Sequence, residues 1–239
     1  MGKHSRLKKE RQSRPHHELL KVTRYEPALY QLIAFKHLVK DKIEIKTIYY
    51  PSCGTDITIH FAFQEARIYF LDCDPKVVEA LKRQGYKATI GRVEETQIRE
   101  KVDLVFMHNP QTTSIAPTDS LRVDGYLVCN NFHGTASILR KQPSRFWPVA
   151  VIKVPRANQP PKVLINHPPE IWEECVDDDE FAALYPGYFP LIKAETDEEN
   201  RRRRIHQLSP LSVLDYQEWR YKYRQLKDWS SFFVFRKVY

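Results

Sequence analysis

Between Lys46 and Arg140 short apolar segments alternate with helical ones, and this rhythm constrains the fold more than any other feature of the chain. Lys46–Tyr50 is β-branched and aromatic, as a strand should be, and Ile57–Phe63 follows as a helix. Arg67–Leu71 is a second strand. The stretch Asp74-Pro75 then opens a helix through Val77, Val78, Ala80 and Leu81, with Asp74 a natural N-cap and Pro75 suited to the first helical position. Gly85 sits where that helix should stop. Tyr86–Ile90 is a third strand and Val102–Met107 a fourth, almost wholly apolar, as a strand covered on both faces must be. Gly125–Asn130 is a fifth, followed by a helix over Thr135–Arg140. Strands that each lead into a helix are joined by right-handed crossovers, so the expectation is an α/β fold with a doubly wound, mostly parallel sheet. Upstream, the three- and four-residue spacing of Leu29, Leu32, Ile33, Phe35, Leu38 and Val39 predicts a helix beginning near Pro27.

Beyond Pro148 the rhythm fails. Nine of the 16 prolines lie from there onward, which argues for irregular connections. Val149–Val154 and Lys162–Ile165 are expected as strands, and Ser209-Pro210 as the start of a helix carrying Tyr216, Trp219, Tyr223 and Leu226. Those aromatics, with Arg220, Lys222, Arg224 and Lys227 beside them, suit either a core-facing stripe or a surface for stacked bases, and the stripe is the preferred reading. Ser231–Val238 is expected as an antiparallel strand that finishes the sheet. The chain is therefore expected to be a basic arm over 1–24 and one α/β domain over 25–239, with an insertion over about 148–228.

Charge and composition narrow the function. The net charge is +8, and residues 1–24 alone carry eight Lys or Arg against Glu10 and Glu18, or 8 − 2 = +6. Such an arm, like the run Arg201-Arg202-Arg203-Arg204, can neutralise phosphates; a solvated tail explains it equally well. The partner expected through the arm is RNA or a ribonucleoprotein. No apolar stretch approaches the roughly 18 residues of a membrane helix, so no membrane is expected. Four cysteines without CxxC spacing indicate neither zinc nor a disulfide framework, so no metal is expected and the default compartment is cytoplasmic.

The residues that can carry chemistry gather where strands end. Pro51-Ser52-Cys53-Gly54-Thr55-Asp56 joins a strand to a helix with small residues that let a ligand approach the backbone, and a helix start offers free N–H groups. A tight turn capped by Asp56 is the competing reading. Asp72 ends the second strand 18 residues after Gly54, the spacing at which a carboxylate can take the two hydroxyls of a ribose. Asp74 already fills the helix-capping role, which leaves Asp72 for a ligand. GxGxxG is absent, so a dinucleotide site fits less well. His108-Asn109-Pro110 ends the fourth strand. An Asn side chain there can accept hydrogen bonds from an amine, and His108 can act as a base; an ordinary Asn-Pro turn is the alternative. Asn130, Asn131 and His133 are further candidates at the end of the fifth strand.

The order Tyr50-Pro51-Ser52-Cys53-Gly54-Thr55-Asp56, then Leu71-Asp72-Cys73-Asp74-Pro75, Val102–Phe106 and Asp124–Val128 resembles the class I S-adenosylmethionine-dependent methyltransferases over about residues 45–140. The resemblance implies a seven-stranded sheet whose last strand is antiparallel, with S-adenosylmethionine as cofactor. By that resemblance Tyr50, Ser52, Cys53 and Gly54 surround the amino-acid part of the cofactor, Asp72 grips the ribose, and Glu94 (or Glu95) substitutes for an acid that meets the adenine amino group. His108 and Asn109 become the catalytic candidates, Asn109 by likeness to enzymes that methylate amino groups. The chain departs from the pattern at Tyr50, where the family has an acid, at Ser52 and Asp56, where it has glycines, and at Arg92, Gln111 and Thr112. Two functions follow: a methyltransferase acting on an amino group of RNA or an RNA-associated protein, or a methyltransferase-like fold that has lost the reaction and serves as an RNA-binding or scaffold module.

Overall fold

The computed structural model describes residues 20–96, 98–155, 159–165, 172–228 and 230–239. Eight strands form one mixed sheet in the order β3-β2-β1-β4-β5-β8-β6-β7. In chain order the elements are α1 (Glu26–Val39), β1 (Thr47–Pro51), α2 (Thr58–Ala62), β2 (Arg67–Asp72), α3 (Pro75–Arg83), β3 (Ala88–Ile90), β4 (Val102–Met107), a 3-10 turn over Ala116–Ser120, β5 (Leu121–Cys129), α4 (Thr135–Arg140), β6 (Phe146–Ile152), β7 (Val163–Ile165), α5 (Asp178–Leu184), α6 (Phe189–Ile205), α7 (Val213–Tyr221) and β8 (Phe232–Lys237). β1 pairs in parallel with both β2 and β4, so the chain reverses its winding direction between them. β8 is antiparallel to both β5 and β6. The final strand is thus antiparallel as expected, but it inserts between β5 and β6 and does not close the sheet. The outer edge belongs to β7, an eighth strand beyond the seven the resemblance implies.

The core lies on both faces of the sheet. One cluster joins Leu32, Phe35, Ile48, Tyr50, Phe70, Leu104, Phe106, Val128 and Phe232 beneath α1, α2 and α3. The other joins Tyr49, Leu71, Val105, Met107, Leu127, Phe146, Phe233 and Phe235. Alternation along each strand assigns neighbours such as Tyr49 and Tyr50 to opposite faces. All six residues of β4 are buried, as its unbroken apolar run demands of a central strand. At its amino end β5 carries a bulge, with the register to β4 shifting between Val102 and Leu104. Asp124 there is left-handed (φ 62°), and a Cβ on Gly125 would stand 2.9 Å from the Arg122 carbonyl and 3.0 Å from that of Asp103, so the bend requires glycine.

Two expectations need correction. The basic arm does not run to residue 24: Thr23 pairs with the turn after β1, donating its N–H to the Thr55 carbonyl (2.8 Å) and accepting from Ile57 N–H (2.9 Å). The rest of the expected arm, 1–19, lies outside the described residues. The region expected to be irregular contains α6, a 17-residue helix that opens with Pro190 and buries only Ile192 and Thr196. Its exposed faces are held by pairs such as Lys193–Asp197, so it lacks the apolar stripe that marks a helix in sequence. The Arg201–Arg204 run forms its last turn. Arg201 and Arg202 pair with Glu198, and Arg203 donates to the Ser209 carbonyl, cations well placed at a helix carboxyl end. The proposed aromatic stripe is largely core: Tyr216, Tyr223 and Leu226 are buried and Trp219 is exposed. The helix itself ends at Tyr221, where Lys222 turns left-handed (φ 66°).

Candidate functional site

In an open parallel sheet the strand ends on either side of the reversal splay apart and leave a crevice at their carboxyl ends. Here that crevice is a cleft of about 730 Å³ above β1, β2 and β4. Its walls bring together Tyr50, Ser52, Cys53, Gly54 and Asp56 after β1, Asp72 and Asp74 after β2, Arg92 and Glu94 after β3, and His108, Asn109 and Gln111 after β4. Tyr50, Ser52, Cys53, Gly54, Asp72, Glu94, His108 and Asn109, put forward from sequence for the cofactor and the reaction, therefore line one cavity, whereas Glu95, Asn130, Asn131 and His133 do not.

Asp72 and Gly54 meet directly. Asp72 Oδ2 accepts the Gly54 N–H at 2.8 Å, and Oδ1 accepts the Asp74 N–H at 2.9 Å. Asp74 in turn caps α3 by accepting from Lys76 N–H, and Gly85 (φ 84°) ends that helix, both as expected. Asp72 is consequently not idle in the bare protein: it braces the helix entry as well as the turn. Each of its oxygens still has a lone pair beyond the one bond it accepts. Gly54 is left-handed (φ 54°), and a Cβ built on it meets nothing within 4 Å, so the space above it is open.

The expected free amides are a different matter. Cys53 N–H bonds to the Leu71 carbonyl, Asp56 N–H to the Cys53 carbonyl, Ile57 N–H to the Thr23 carbonyl and Thr58 N–H to Asp56 Oδ1. Those donors are consumed within the turn, because α2 is a short helix whose entry is capped from inside the fold. Ser52 adopts φ 49°, a conformation that glycine takes without strain and serine does not.

Asp56 is the residue whose role sequence reasoning missed. It does sit at the helix entry, but its carboxylate also accepts the Tyr50 hydroxyl at 2.8 Å and stands 3.1 Å from His108 Nδ1. Tyr50, where the resemblance implies an acid, is a buried phenol spent on holding a carboxylate six residues later. Burial alone would raise the Asp56 pKa; the hydrogen bond and charge of His108, with the bonds from Thr58, outweigh it and hold the group below its ordinary value. Burial pushes the Cys53 thiol far upward, so it is an inert wall.

His108 is stacked against Tyr25 at 5.9 Å and Phe106 at 5.7 Å, with Phe232 edge-on at 5.4 Å. Tyr25 joins the cleft because the Thr23 pairing carries the chain across its mouth. Asn109 is left-handed (φ 52°) and exposed, its N–H held by Asn130 Oδ1 at 3.1 Å. Glu94 accepts from the Thr112 hydroxyl at 2.8 Å, linking the β3 and β4 sides of the cleft. The residues after β5 do not join the site as expected. Asn130 braces Asn109, Asn131 accepts from Ser137 N–H inside the fold, and His133 packs on Phe132 and Tyr188. Burial lowers the His133 pKa to about 4, so it is a neutral packing residue at pH 7. No group of His, Cys, Asp or Glu among the described residues can hold a metal ion, and no helix of the described residues is long and apolar enough to cross a membrane.

Strand order, the antiparallel β8 and the cleft at the winding reversal define a sheet of the class I methyltransferase type. No protein-family model matches the chain, and no curated protein matches it. Among solved structures it is similar to the N-methyltransferase NodS from Bradyrhizobium japonicum WM9, at 10% identity over 59% of this chain and 93% of that one, with a TM-score of 0.44. It is also similar to a S-adenosylmethionine-dependent methyltransferase from Clostridium acetobutylicum ATCC 824 (14% identity, TM-score 0.37), covering 47% of this chain. A third likeness is to DesVI of Streptomyces venezuelae, at 16% identity over 54% of this chain and 58% of that one, with a TM-score of 0.37. The chain spans about half the length of the Clostridium structure, 54%. Such identities speak of the chain path alone.

Proposed function

We propose that the cleft binds S-adenosylmethionine and that the chain transfers its methyl group to an acceptor. The observation that carries this reading is the Asp72 carboxylate, held 2.8 Å from the Gly54 amide at the edge of an open crevice large enough for a nucleoside. Two vicinal hydroxyls can donate to the lone pairs Asp72 has left, and the absent Cβ of Gly54 leaves room beside them. Tyr50 and Cys53 supply wall and Glu94 lies near the β3 side, while Ser52 presents a hydroxyl where the turn's amides are already engaged. The bound cofactor supplies an activated methyl on a sulfonium, so the chain's own contribution is chiefly to hold donor and acceptor in line and to keep water out. Asn109 and His108 stand at the end of β4, where they meet the acceptor.

The test is calorimetric titration with S-adenosylmethionine. Wild type should give a saturable isotherm, and Asp72→Ala should weaken it about 100-fold, as expected for the loss of two hydrogen bonds to a charged group. An absent isotherm at millimolar cofactor ends the proposal. That result would favour the second reading, a binding module without the reaction, which the internally consumed amides after β1 support. The acceptor we favour is RNA or an RNA-associated protein, on the strength of the +6 charge of residues 1–24. Deleting residues 1–19 should lower RNA affinity and flatten its salt dependence; an unchanged slope would reduce that segment to a solubilising tail. The unpaired thiols, including exposed Cys73, suit a reducing and therefore cytoplasmic setting.

A further inference from the structure

Resting on that reading, we infer that His108 is a general base oriented by Asp56, and that the methyl acceptor presents a hydroxyl. The Asp56 carboxylate is filled from within: Oδ2 takes the Tyr50 hydroxyl and faces His108 Nδ1, while Oδ1 takes both the N–H and the hydroxyl of Thr58. So saturated a carboxylate has little left for a ligand. Its function is to orient the imidazole.

The protonation pattern follows. Asp56 takes the Tyr50 hydroxyl on one oxygen and the Thr58 N–H and hydroxyl on the other, and so acts as an acceptor only. In the contact at 3.1 Å the proton must therefore sit on His108 Nδ1. A neutral ring so fixed carries its free lone pair on Nε2, which has no hydrogen-bond partner among the described residues, and the residue lines the cleft. Stacking by Tyr25 and Phe106 removes the ring's freedom to tilt. This is the orienter–base arrangement in which a carboxylate sets the tautomer of a histidine and leaves its distal nitrogen for the reacting proton.

The base points to the class of acceptor. A neutral amine has a lone pair ready and can attack before it loses a proton, whereas a hydroxyl is a weak nucleophile until its proton is taken. With a hydroxyl the step balances: the O–H proton passes to Nε2, the oxygen pair forms the O–CH3 bond, and the C–S pair returns to sulfur. A sulfonium, a neutral hydroxyl and a neutral imidazole become a sulfide, a methyl ether and an imidazolium. The amine-methylating likeness of Asn109-Pro110 is correspondingly weaker, since Asn109 turns left-handed on a backbone tied to Asn130.

The experiment uses the full chain labelled with 15N-histidine, with His108→Phe to assign the resonance while keeping a stacked ring. The neutral His108 should show a protonated Nδ1 and an unprotonated Nε2; the opposite tautomer overturns the inference. In parallel, tritiated S-adenosylmethionine is offered with catechol or with aniline as probes. Label should enter catechol, and His108→Phe and Asp56→Asn should each lower the rate by about 100- to 10,000-fold while calorimetric cofactor affinity stays within about threefold, the margin of context-dependent effects. Label in aniline alone, or in neither probe, or transfer to catechol undiminished in His108→Phe, overturns it. Failure of wild type to bind cofactor at all would instead sink the methyltransferase reading and is seen separately in the calorimeter.

Discussion

Aspartates that accept backbone amides sit at both ends of the parallel strands, buried at the amino ends and half-buried at the carboxyl ends, and the two ends use them to opposite purposes. At the amino ends Asp103, in β4, accepts Lys46 N–H at 2.9 Å, Thr47 N–H at 2.8 Å and the Thr47 hydroxyl at 2.9 Å on one oxygen, and Arg122 Nε at 2.6 Å on the other. The rest of that end is closed in the same spirit: buried Lys237 donates to the Thr118 and Leu121 carbonyls, sealing the end of the 3-10 turn. At the carboxyl ends Asp56 and Asp72 are bonded just as closely, yet the constellation leaves an unpartnered imidazole nitrogen, spare carboxylate lone pairs and an open crevice. Saturation marks a stitch between β1 and β4; incomplete saturation, with space in front of it, marks a site.

The largest expected effect tests the stitch. Asp103→Ala strands the Lys46 and Thr47 amides and the Arg122 guanidinium, and should cost about 3 kcal/mol in urea unfolding. Cofactor affinity of the fraction that remains folded should not change. A loss of affinity at native-like stability would show that the two ends are coupled and would break the comparison.

Acid should destabilise the fold in two stages. His133, near the carboxyl end of β5, has a pKa lowered to about 4 by burial. The unfolded chain binds a proton there before the folded one does, so stability is complete above about pH 6.5, the unperturbed value. It is lost as pH falls from there to about 4, by on the order of 3 kcal/mol. Asp103 and Asp56 are also held below their ordinary values, in each case by hydrogen bonds that outweigh burial. Their contribution is present above the unfolded aspartate pKa and disappears as pH falls through the lower folded values. Urea midpoints followed from pH 8 to pH 2 should therefore show two declines. His133→Phe should remove the first alone, and a first decline that survives it would assign that titration elsewhere.

The strands and their helices were legible because each depends on local rules: apolar runs in β4, Asp74-Pro75 as a helix entry, Gly85 as a stop. The bond from the Gly54 amide to Asp72 was not, since the sequence leaves that carboxylate for a ligand. The course of β8 was half legible. SFFVFRKV reads as a strand, but nothing within it says that it enters between β5 and β6, since that depends on partners 80 or more residues away. α6 was missed because charge pairs, not an apolar stripe, support it. In the site, Tyr50 and Asp56 stood out only as departures from a pattern, six residues apart with no visible connection. Their union with His108 needs three segments to meet, and only the folded chain brings the phenol, the carboxylate and the imidazole together.

The smallest effect probes the strain on the open side. Ser52 holds a left-handed backbone (φ 49°) at the rim of the cleft, which costs an L-residue about 1 kcal/mol. Ser52→Gly relieves that cost but enlarges the unfolded ensemble, so the net gain should be about 0.5 kcal/mol. Melting should rise by about 1–2 °C for a chain of this size. Asp124 (φ 62°), in the β5 bulge near the closed end, is the matched control, and Asp124→Gly should give a similar small gain without touching cofactor affinity. If Ser52→Gly instead weakens cofactor binding while stabilising the fold, the strained conformation is retained for the hydroxyl it presents to the cleft. If it destabilises the protein, the serine makes a contact that holds the turn together, and the open end of the sheet is less open than its unfilled space suggests.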